Sequence, residues 1–309
     1  FIVQIFAAVG LTGYLSLRNG QKAVNDLASR LQNEVSDRID LRLDNYLETA
    51  RIVVEYNRDA IQLGLLDRNN TEQISHYFWK QVHNFDVGYV LLGLKSGIHI
   101  GSGYFFGDER VTIDIVNKEK FGNGNLYVFE TDEQGNRGEI IVDGGDTIVD
   151  GVFTLQNEGW YTEAVKKGST VWSPVYNWAV EPFPLSIANS RPIYDKDQNL
   201  VGVLAVEQQL SQISDFLRSL KVSPEGKTFI IERDGLIIGD SANEKPFKVI
   251  DGKPERLKAI ESVDPLIKNT AQYLIQEFGD LNQIKTTQQL DFKLDGERQF
   301  VQVAPWQDE

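Results

Sequence analysis

A stripe of apolar residues near the start of the chain recurs at helical spacing. Between Gln21 and Leu66 there is no proline, and charged residues fill the positions between the apolar ones. A helix of about 45 residues would be about 70 Å long, which exceeds an ordinary globular helix. The pattern predicts one long stalk helix, and two helices broken near Asn57 to Asp59 are the alternative. The stripe consists of Val24, Leu27, Leu31, Val35, Ile39, Leu43, Leu47, Ala50, Val54 and Ile61.

After this stalk the pattern changes to short strands, turns and short helices. A helix is predicted from Thr71, as its N-terminal cap, to Phe85, and an antiparallel meander follows it. Next come a short helical patch from Glu158 to Gly168, further strands, and an amphipathic exit helix at residues 211–220. The predicted strands lie at residues 87–94, 110–117, 125–132, 138–144, 169–176, 186–195 and 200–210.

The same theme then repeats more weakly. Residues 227–241 and 288–306 each predict a hairpin, the second turning at Asp295-Gly296, with a helix between them. The predicted fold is α+β: a long N-terminal helix that carries two modules with antiparallel sheets, of which the second lacks its closing strand. The predicted boundaries are a stalk at 18–70, a first module at 71–220 and a second module at 221–309.

Residues 1–17 carry no charge and are mostly apolar, at the lower end of a membrane-spanning length. The helical pattern continues past Arg18 without the small-residue site that ends a cleaved signal peptide. We therefore expect part of a transmembrane helix at 1–17. A buried helix and a cleaved signal peptide are the alternatives.

Composition narrows the class of protein. The 309 residues carry a formal net charge of −14, which argues against nucleic acid as a partner because phosphate binding needs clustered Lys and Arg. The chain has no Cys, so disulfides and Cys-based metal or redox chemistry are excluded.

The sequence holds no recognisable catalytic or cofactor motif. The cluster Gly101, Gly103 and Gly107 does not complete the dinucleotide fingerprint because Phe106 occupies the third Gly position, so a flexible turn is expected there. His76, His83 and His99 lack partners at metal-ligand spacing, which predicts surface or helix-face positions for them. We expect no cofactor, no metal and no catalysis.

One acidic segment could support a different function. Residues 143–146 read Asp-Gly-Gly-Asp but lack the spaced oxygens and the closing Glu of a calcium loop, so a solvated hairpin is expected. A membrane-anchored hydrolase that uses Asp143 and Asp146 is the enzymatic alternative.

Residues 158–178 contain three Trp and two Tyr in 21 positions. Trp160 and Tyr161 fall on the short helix, whereas Tyr176 and Trp178 end the next strand. Side chains from helix and strand can converge over one face of a sheet, with apolar walls and polar tips. A packed core corner without a ligand is the alternative.

The stretches "GWYTEAVKKGSTVWSPVY" and "PLSIANSRPIYDKDQNLVGVLAVEQQLSQISDFL" resemble the membrane-distal module of double Cache domains. These are extracytoplasmic sensor regions of bacterial histidine kinases, chemoreceptors and nucleotide cyclases, built from two PAS-like modules on one long helix. The resemblance covers nearly the whole chain. It is strongest at Trp160-Tyr161, at residues 172–176 and in the hairpin at 191–206, whereas the second module matches mainly in the order of its elements. In amino-acid-binding members a Tyr precedes an Arg-x-Trp-Tyr motif, and a later Tyr and a later Asp complete the site. Trp160, Tyr161 and Tyr176 match that pattern.

Three positions depart from it. The earlier Tyr falls on Phe153, the Arg that holds the ligand carboxylate falls on Glu158, and the Asp that holds the ligand ammonium is best matched by Glu207. A carboxylate at Glu158 would repel the carboxylate of an amino acid. Two acids and an aromatic box suit an ammonium ion without a carboxylate, so the expected ligand is a cationic amine or quaternary ammonium. If Glu158 points to solvent, an uncharged or aromatic ligand fits equally well. The expected ligand contacts are Phe153, Glu158, Trp160, Tyr161, Tyr176, Trp178 and Glu207.

The resemblance implies a small-molecule sensing domain of a membrane signal-transduction receptor, anchored in the inner membrane and exposed to the periplasm or extracellular space. The expected output is a histidine kinase of a two-component system, with a nucleotide cyclase as the alternative; a non-binding structural spacer is the alternative to sensing. A sensor must move an element continuous with the membrane helix. We expect a parallel homodimer that shifts by an ångström or two on binding. Its expected contacts are Leu27, Leu31, Val35 and Ile39.

Overall fold

The structure is a computed structural model that describes residues 2–106, 110–143, 158–178, 181–220, 222–223 and 225–306, with side chains from residue 18 onward. The chain divides into two compact units, which are described separately. The terminal unit comprises Phe1–Arg42, Asp215–Glu244 and Leu257–Glu309. The sheet unit comprises Leu43–Ser214 and Lys245–Arg256.

The predicted stalk is a single helix, α1 (Ile2–Gln62), so the alternative with a break near Asn57 is wrong. Asn57 is buried without disturbing the helix because its side-chain amide pairs reciprocally with that of Gln81, at 2.9 and 2.7 Å. Among the residues described, no helix combines the length and the apolar character needed to cross a membrane. The face of α1 in the sheet unit buries Leu43, Tyr46, Leu47, Ala50, Val53, Val54 and Ile61.

The second helix is α2 (Thr71–Asn84), and its N-cap is the preceding residue, Asn70. The Asn70 side chain accepts a hydrogen bond from the Gln73 backbone N–H at 3.0 Å, so Asn70 caps the helix and the prediction of Thr71 is wrong. Asn is as good a cap as Thr because its carbonyl oxygen reaches the same orphan amide. The helix buries Ile74, Phe78, Trp79 and Val82.

One antiparallel sheet of nine strands organises the sheet unit, in the order β5-β4-β3-β2-β1-β9-β8-β6, with β7 also paired to β8. The helices α3 (Lys118–Phe121) and α4 (Gly159–Lys167) lie between its strands in sequence. The strands are β1 (Tyr89–Leu94), β2 (His99–Gly103), β3 (Thr112–Val116), β4 (Leu126–Thr131), β5 (Arg137–Val142), β6 (Val171–Trp172), β7 (Tyr176–Asn177), β8 (Leu185–Tyr194) and β9 (Leu200–Gln209).

Each face of this sheet carries its own hydrophobic cluster, since successive strand residues point to opposite sides. On one face, apolar residues such as Leu92 of β1 and Val206 of β9 pack in one cluster with residues of α1 and α2. On the other face, Tyr89 of β1 and Ala205 of β9 pack in a cluster with α4. The candidate site lies on this second face.

In the terminal unit, the strands form separate antiparallel pairs. The predicted hairpins are β10 (Phe229–Ile231) with β11 (Ile237–Asp240) and, after the helix α6 (Pro265–Phe278), β14 (Gln288–Leu294) with β15 (Glu297–Val303). The second hairpin turns at Asp295 and Gly296, both with positive φ, as predicted. The pair β12 (Phe247–Ile250) and β13 (Lys253–Arg256) was not predicted and belongs to the sheet unit. The exit helix is α5 (Ser211–Ser219), and short 3₁₀ turns lie at Ala259–Glu261 and Leu281–Gln283.

The predicted dimer stripe on α1 is only partly exposed. Leu27 and Leu31 are 69% and 39% exposed, whereas Val35 is 8% exposed and packs within its own chain. Val35 is therefore unavailable for the predicted helix–helix contact, and Ile39 is half-buried. The predicted fold class, α+β with a long N-terminal helix and antiparallel strands, is confirmed.

Candidate ligand-binding site

The site is built on the central strands of the sheet. Glu207 of β9 lies directly opposite Tyr89 of β1 on one side and Ala188 of β8 on the other. Because side chains alternate along a strand, all three residues lie on the face that carries α4. Ala188 packs in the same cluster as Tyr176 of β7 and Trp178.

The Glu207 carboxylate is the centre of this arrangement. It is only 3% exposed, and its Oε1 accepts a hydrogen bond from the Tyr176 hydroxyl at 2.8 Å. The indole Nε1–H of Trp178 donates to the same oxygen. Tyr176 lies on β7, which pairs with the edge of β8, and Trp178 follows directly. Ser173 and Pro174 separate β6 from β7, which is why the predicted strand at 169–176 is split.

Burial raises the pKa of Glu207 from its ordinary value of 4.5 to about 7. The hydrogen bonds from Trp178 and Tyr176 lower this pKa, and the neighbouring Glu158 raises it. The Glu207 carboxyl is therefore close to half-ionised at neutral pH, and its hydrogen-bond donors, Tyr176 and Trp178, are uncharged.

Glu158 contributes the second acid of the site. It is the N-cap residue of α4, but its side chain makes no capping hydrogen bond. Burial raises its pKa, and the neighbouring His99 lowers it. Burial and the Glu207 carboxylate are the main causes that raise the pKa of Tyr176, and Glu158 raises it further. Glu158 is half-buried and near the other site residues, which disfavours the alternative in which it points to solvent.

The aromatic residues of the predicted box share one hydrophobic cluster but differ in exposure. Trp160 and Tyr161 are 3% and 5% exposed and pack edge to face with ring centroids 5.6 Å apart. Tyr176 and Trp178 are half-buried. The Trp178 ring makes edge contacts with Tyr89 at 5.2 Å and with Phe105 at 5.6 Å. Trp160 and Tyr161 therefore act largely as the packed base, and Trp178 forms a wall.

Next to Trp178 lies a buried polar group of Tyr89, Asp114 and His99 that was not predicted from the sequence. The Tyr89 hydroxyl donates to Asp114 Oδ1, and His99 Nε2 lies 2.6 Å from Asp114 Oδ2. Burial, followed by the charge of Asp114, raises the pKa of Tyr89 well above its ordinary value. His99 is 5% exposed, so its predicted surface position is wrong. The available signal was Asp114 itself, since an acid between two Ile residues of an apolar strand is unusual.

Two glycines make room for this polar group. Gly101 and Gly103 are residues of β2, so the flexible turn predicted there is wrong, and Gly107 lies outside the described residues. A Cβ at Gly101 would lie 2.8 Å from both Asp114 Oδ2 and Tyr89 Cε1, and one at Gly103 would lie 2.5 Å from Tyr89 Cγ. The Tyr89 ring and the Asp114 carboxylate thus occupy the space over β2 that side chains at positions 101 and 103 would need.

The remaining candidates do not add to the site. Phe153 and Asp146 lie outside the described residues, and Asp143 is exposed. The described part of the chain contains no cluster of three or more His, Asp or Glu residues suited to a metal ion. The His83 imidazole Nδ1 lies 3.1 Å from the Trp79 carbonyl oxygen, and the His76 ring stacks on Trp79, as expected for helix-face positions.

Comparison with known proteins supports the sensor resemblance. Residues 109–215 match the family model described as methyl-accepting chemotaxis protein-like, first PDC sensor domain. This match confirms the predicted sensor type for the segment that contains α4, β8 and β9. The comparison with curated proteins found no match.

Several solved structures share the fold at low sequence identity. The extracellular domain of mmHK1S-Z2 has 13% identity and a TM-score of 0.52 over 90% of this chain and 92% of that one. The ligand-binding domain of Mlp24, solved with asparagine, has 15% identity and a TM-score of 0.50 over 89% and 87%. The Campylobacter jejuni chemoreceptor Tlp3 domain, solved with 4-methylisoleucine, has 17% identity and a TM-score of 0.47 over 89% and 82%. The first two matches show that the chain shares its fold with that extracellular domain and that ligand-binding domain.

Proposed function

We propose that this chain is the ligand-sensing module of a membrane receptor and that it binds a small cationic amine or quaternary ammonium in the sheet unit. The observation that carries the proposal is the Glu207 carboxylate, which is buried, has its pKa raised to about 7, and is held by the side chains of Tyr176 and Trp178. A buried acid without a cationic partner opposes folding. Its presence is accounted for if a cationic ligand provides the missing charge.

The second acid strengthens this choice of ligand. Within the described residues neither Glu158 nor Glu207 forms an ion pair, and the charge of each raises the pKa of Tyr176. The rings of Tyr176 and Trp178 next to Glu207 offer cation–π contacts of about 0.5–2 kcal/mol each. Together with one buried carboxylate, several such contacts are enough for micromolar binding.

The position of Glu158 argues against a free amino acid. Mlp24 shares the fold and was solved with asparagine, so the fold can enclose a ligand of that size. In the family pattern, however, the ligand carboxylate meets an Arg at the position that Glu158 occupies here. Two carboxylates at hydrogen-bond distance repel each other, so an amine that lacks the carboxylate is the better ligand.

The proposal includes the arrangement of the whole receptor. We propose the boundaries 18–70, 71–220 and 221–309 for the stalk, the membrane-distal module and the membrane-proximal module. Residues 1–17 would belong to an inner-membrane helix, with the modules outside the cytoplasm, and Leu27 and Leu31 would contact a second copy. A histidine kinase output is proposed because it is the commonest in this family, with a chemotaxis or nucleotide cyclase output as the alternative that the full reading frame would reveal.

Thermal shift against a library of small metabolites tests the sensing function. A ligand that binds only the folded state raises the melting temperature by mass action, so amines and quaternary ammonium compounds should raise it and matched alcohols should not. A flat response across a broad library would support the structural spacer instead. A response confined to hydrolysable compounds, with product formation, would support the hydrolase.

A further inference from the structure

Gln208 occupies the position next to Glu207 on β9 but faces the other side of the sheet. Because strand side chains alternate, Glu207 points toward the candidate site and Gln208 points toward the face that packs with α1. The Gln208 side chain is completely buried. A buried amide needs hydrogen-bond partners for its donors and its acceptor, so the contacts of Gln208 indicate its structural role.

Among the described residues, the hydrogen bonds of this amide all lead to main-chain atoms. Gln208 Nε2 donates to the Tyr46 carbonyl oxygen of α1 at 2.6 Å and to the Asp86 carbonyl oxygen at 3.0 Å. Its Oε1 accepts from the Gly88 N–H at 3.1 Å. The Tyr46 hydroxyl, 1% exposed, donates to the Gln209 carbonyl oxygen at 2.9 Å. We call these four bonds the Gln208 junction.

The junction joins both strands that bear the site to one point of α1. Gly88 directly precedes Tyr89, and Gln208 directly follows Glu207, so each site residue is one peptide away from the junction. The packing there leaves little slack, since a Cβ at Gly88 would lie 3.0 Å from both Gln209 N and the Glu207 carbonyl oxygen. Breaking buried hydrogen bonds is costly, so a shift of Glu207 moves the junction as a body.

We propose that the Gln208 junction is the coupling through which occupation of the site at Glu207 displaces α1. This inference rests on the proposed sensing function and adds the route of its signal. The receiving element is suitable because α1 is one uninterrupted helix from Ile2 to Gln62, and a hydrogen-bonded helix carries a displacement along its axis. The apolar stripe on α1 was expected to move on binding, and the Gln208 junction supplies the contact that would move it.

Amide hydrogen exchange tests the coupling without any ligand. Glu207→Gln removes the charge that a cationic ligand would neutralise, and Tyr46→Phe removes one junction bond while keeping the ring. We expect Glu207→Gln to change the exchange rates of α1 amides 44–50 at least threefold relative to those of α2 amides 74–82, which correct for overall stability. In the Tyr46→Phe background this relative change should be smaller, because one of the two hydrogen bonds between Tyr46 and β9 is lost.

Tyr56→Phe is the matched control, since Tyr56 is on the same helix and 60% exposed. It should leave the response to Glu207→Gln intact. The melting temperatures give a second measurement: the shifts of Glu207→Gln and Tyr46→Phe should be non-additive, and those of Glu207→Gln and Tyr56→Phe additive. The coupling is overturned if Glu207→Gln leaves the α1 amides unchanged relative to α2, or if the response is undiminished in Tyr46→Phe. Neither outcome depends on the thermal-shift screen, so a failed ligand screen rejects the proposed function separately.

Discussion

Replacing Glu207 by Gln should stabilise the protein while removing the ligand's charge partner. Burial raises the Glu207 pKa from 4.5 to about 7. Each pKa unit corresponds to about 1.4 kcal/mol of difference between folded and unfolded states, so the ionised side chain costs the fold about 3 kcal/mol at pH 8. A neutral amide avoids this cost, and its oxygen still accepts from Trp178 and Tyr176.

The sign of the pH dependence follows from the raised pKa. Below about pH 4.5 the carboxyl is protonated in both states, and its contribution to stability is fully present. As the pH rises from about 4.5 to about 7, the unfolded state ionises first, so the free energy of unfolding falls and then levels off. In Glu207→Gln this contribution to the pH dependence is absent. We therefore expect equal stability of variant and wild type near pH 4.5, and up to about 3 kcal/mol more for the variant at pH 8.

Urea unfolding at pH 4.5 and pH 8 measures this difference. Tryptophan fluorescence is a suitable signal because four of the five Trp residues are in the sheet unit. The control is Glu130→Gln, the same change at an exposed position of β4, which should stay within about 0.5 kcal/mol of wild type at both values of pH. The reasoning is refuted if Glu207→Gln is no more stable than wild type at pH 8, or if its advantage is the same at pH 4.5.

Three further predictions follow from the same geometry. Amine affinity should fall about tenfold per pH unit below pH 7, because the cation binds the ionised form of Glu207. Calorimetric titration at pH 5 to 8 measures this, and an affinity that does not change with pH would contradict it. Gly101→Ala should lower the free energy of unfolding in urea by about 1–3 kcal/mol, because the new Cβ would clash with Tyr89 and Asp114. Gly138→Ala should have little effect, because the nearest atom to its new Cβ is 3.5 Å away. Equal effects of the two substitutions would contradict the close packing on β2. In membranes, Leu31→Cys in the full receptor should form disulfide-linked dimers faster than Arg30→Cys, and the reverse order would reject the α1 interface.

The elements with strong local signals were predictable from sequence. The uninterrupted apolar stripe identified α1, and the turn residues Asp295-Gly296 identified the last hairpin, because both depend on short-range stereochemistry. The hairpin β12–β13 has the same kind of turn at Asp251-Gly252, both with positive φ, and was missed because charged residues interrupt its short strands. How the strands pair depends on contacts distant in sequence, so neither the single nine-stranded sheet nor the separate pairs of the terminal unit could be deduced.

The candidate site was predictable only where a residue pattern pointed to it. Glu158, Trp160 and Glu207 were identified by the resemblance, and the structure brings them onto one face of the sheet. Tyr89 looks ordinary in its own strand, and Asp114, although unusual in an apolar strand, gave no indication of its partners. They become neighbours only when β1, β2 and β3 pair, and the glycines of β2 matter only once those side chains lie across them.

The central claim is that the sheet unit binds a cation through Glu207. Calorimetric titration at pH 8 tests it most directly, using the amine with the largest thermal shift and the α-amino acid that carries the same side chain. We expect the amine to bind at least tenfold more tightly than the amino acid, and Glu207→Gln to lose at least tenfold in amine affinity while Glu130→Gln does not. Tighter binding of the amino acid, or unchanged amine affinity in Glu207→Gln, would contradict the claim.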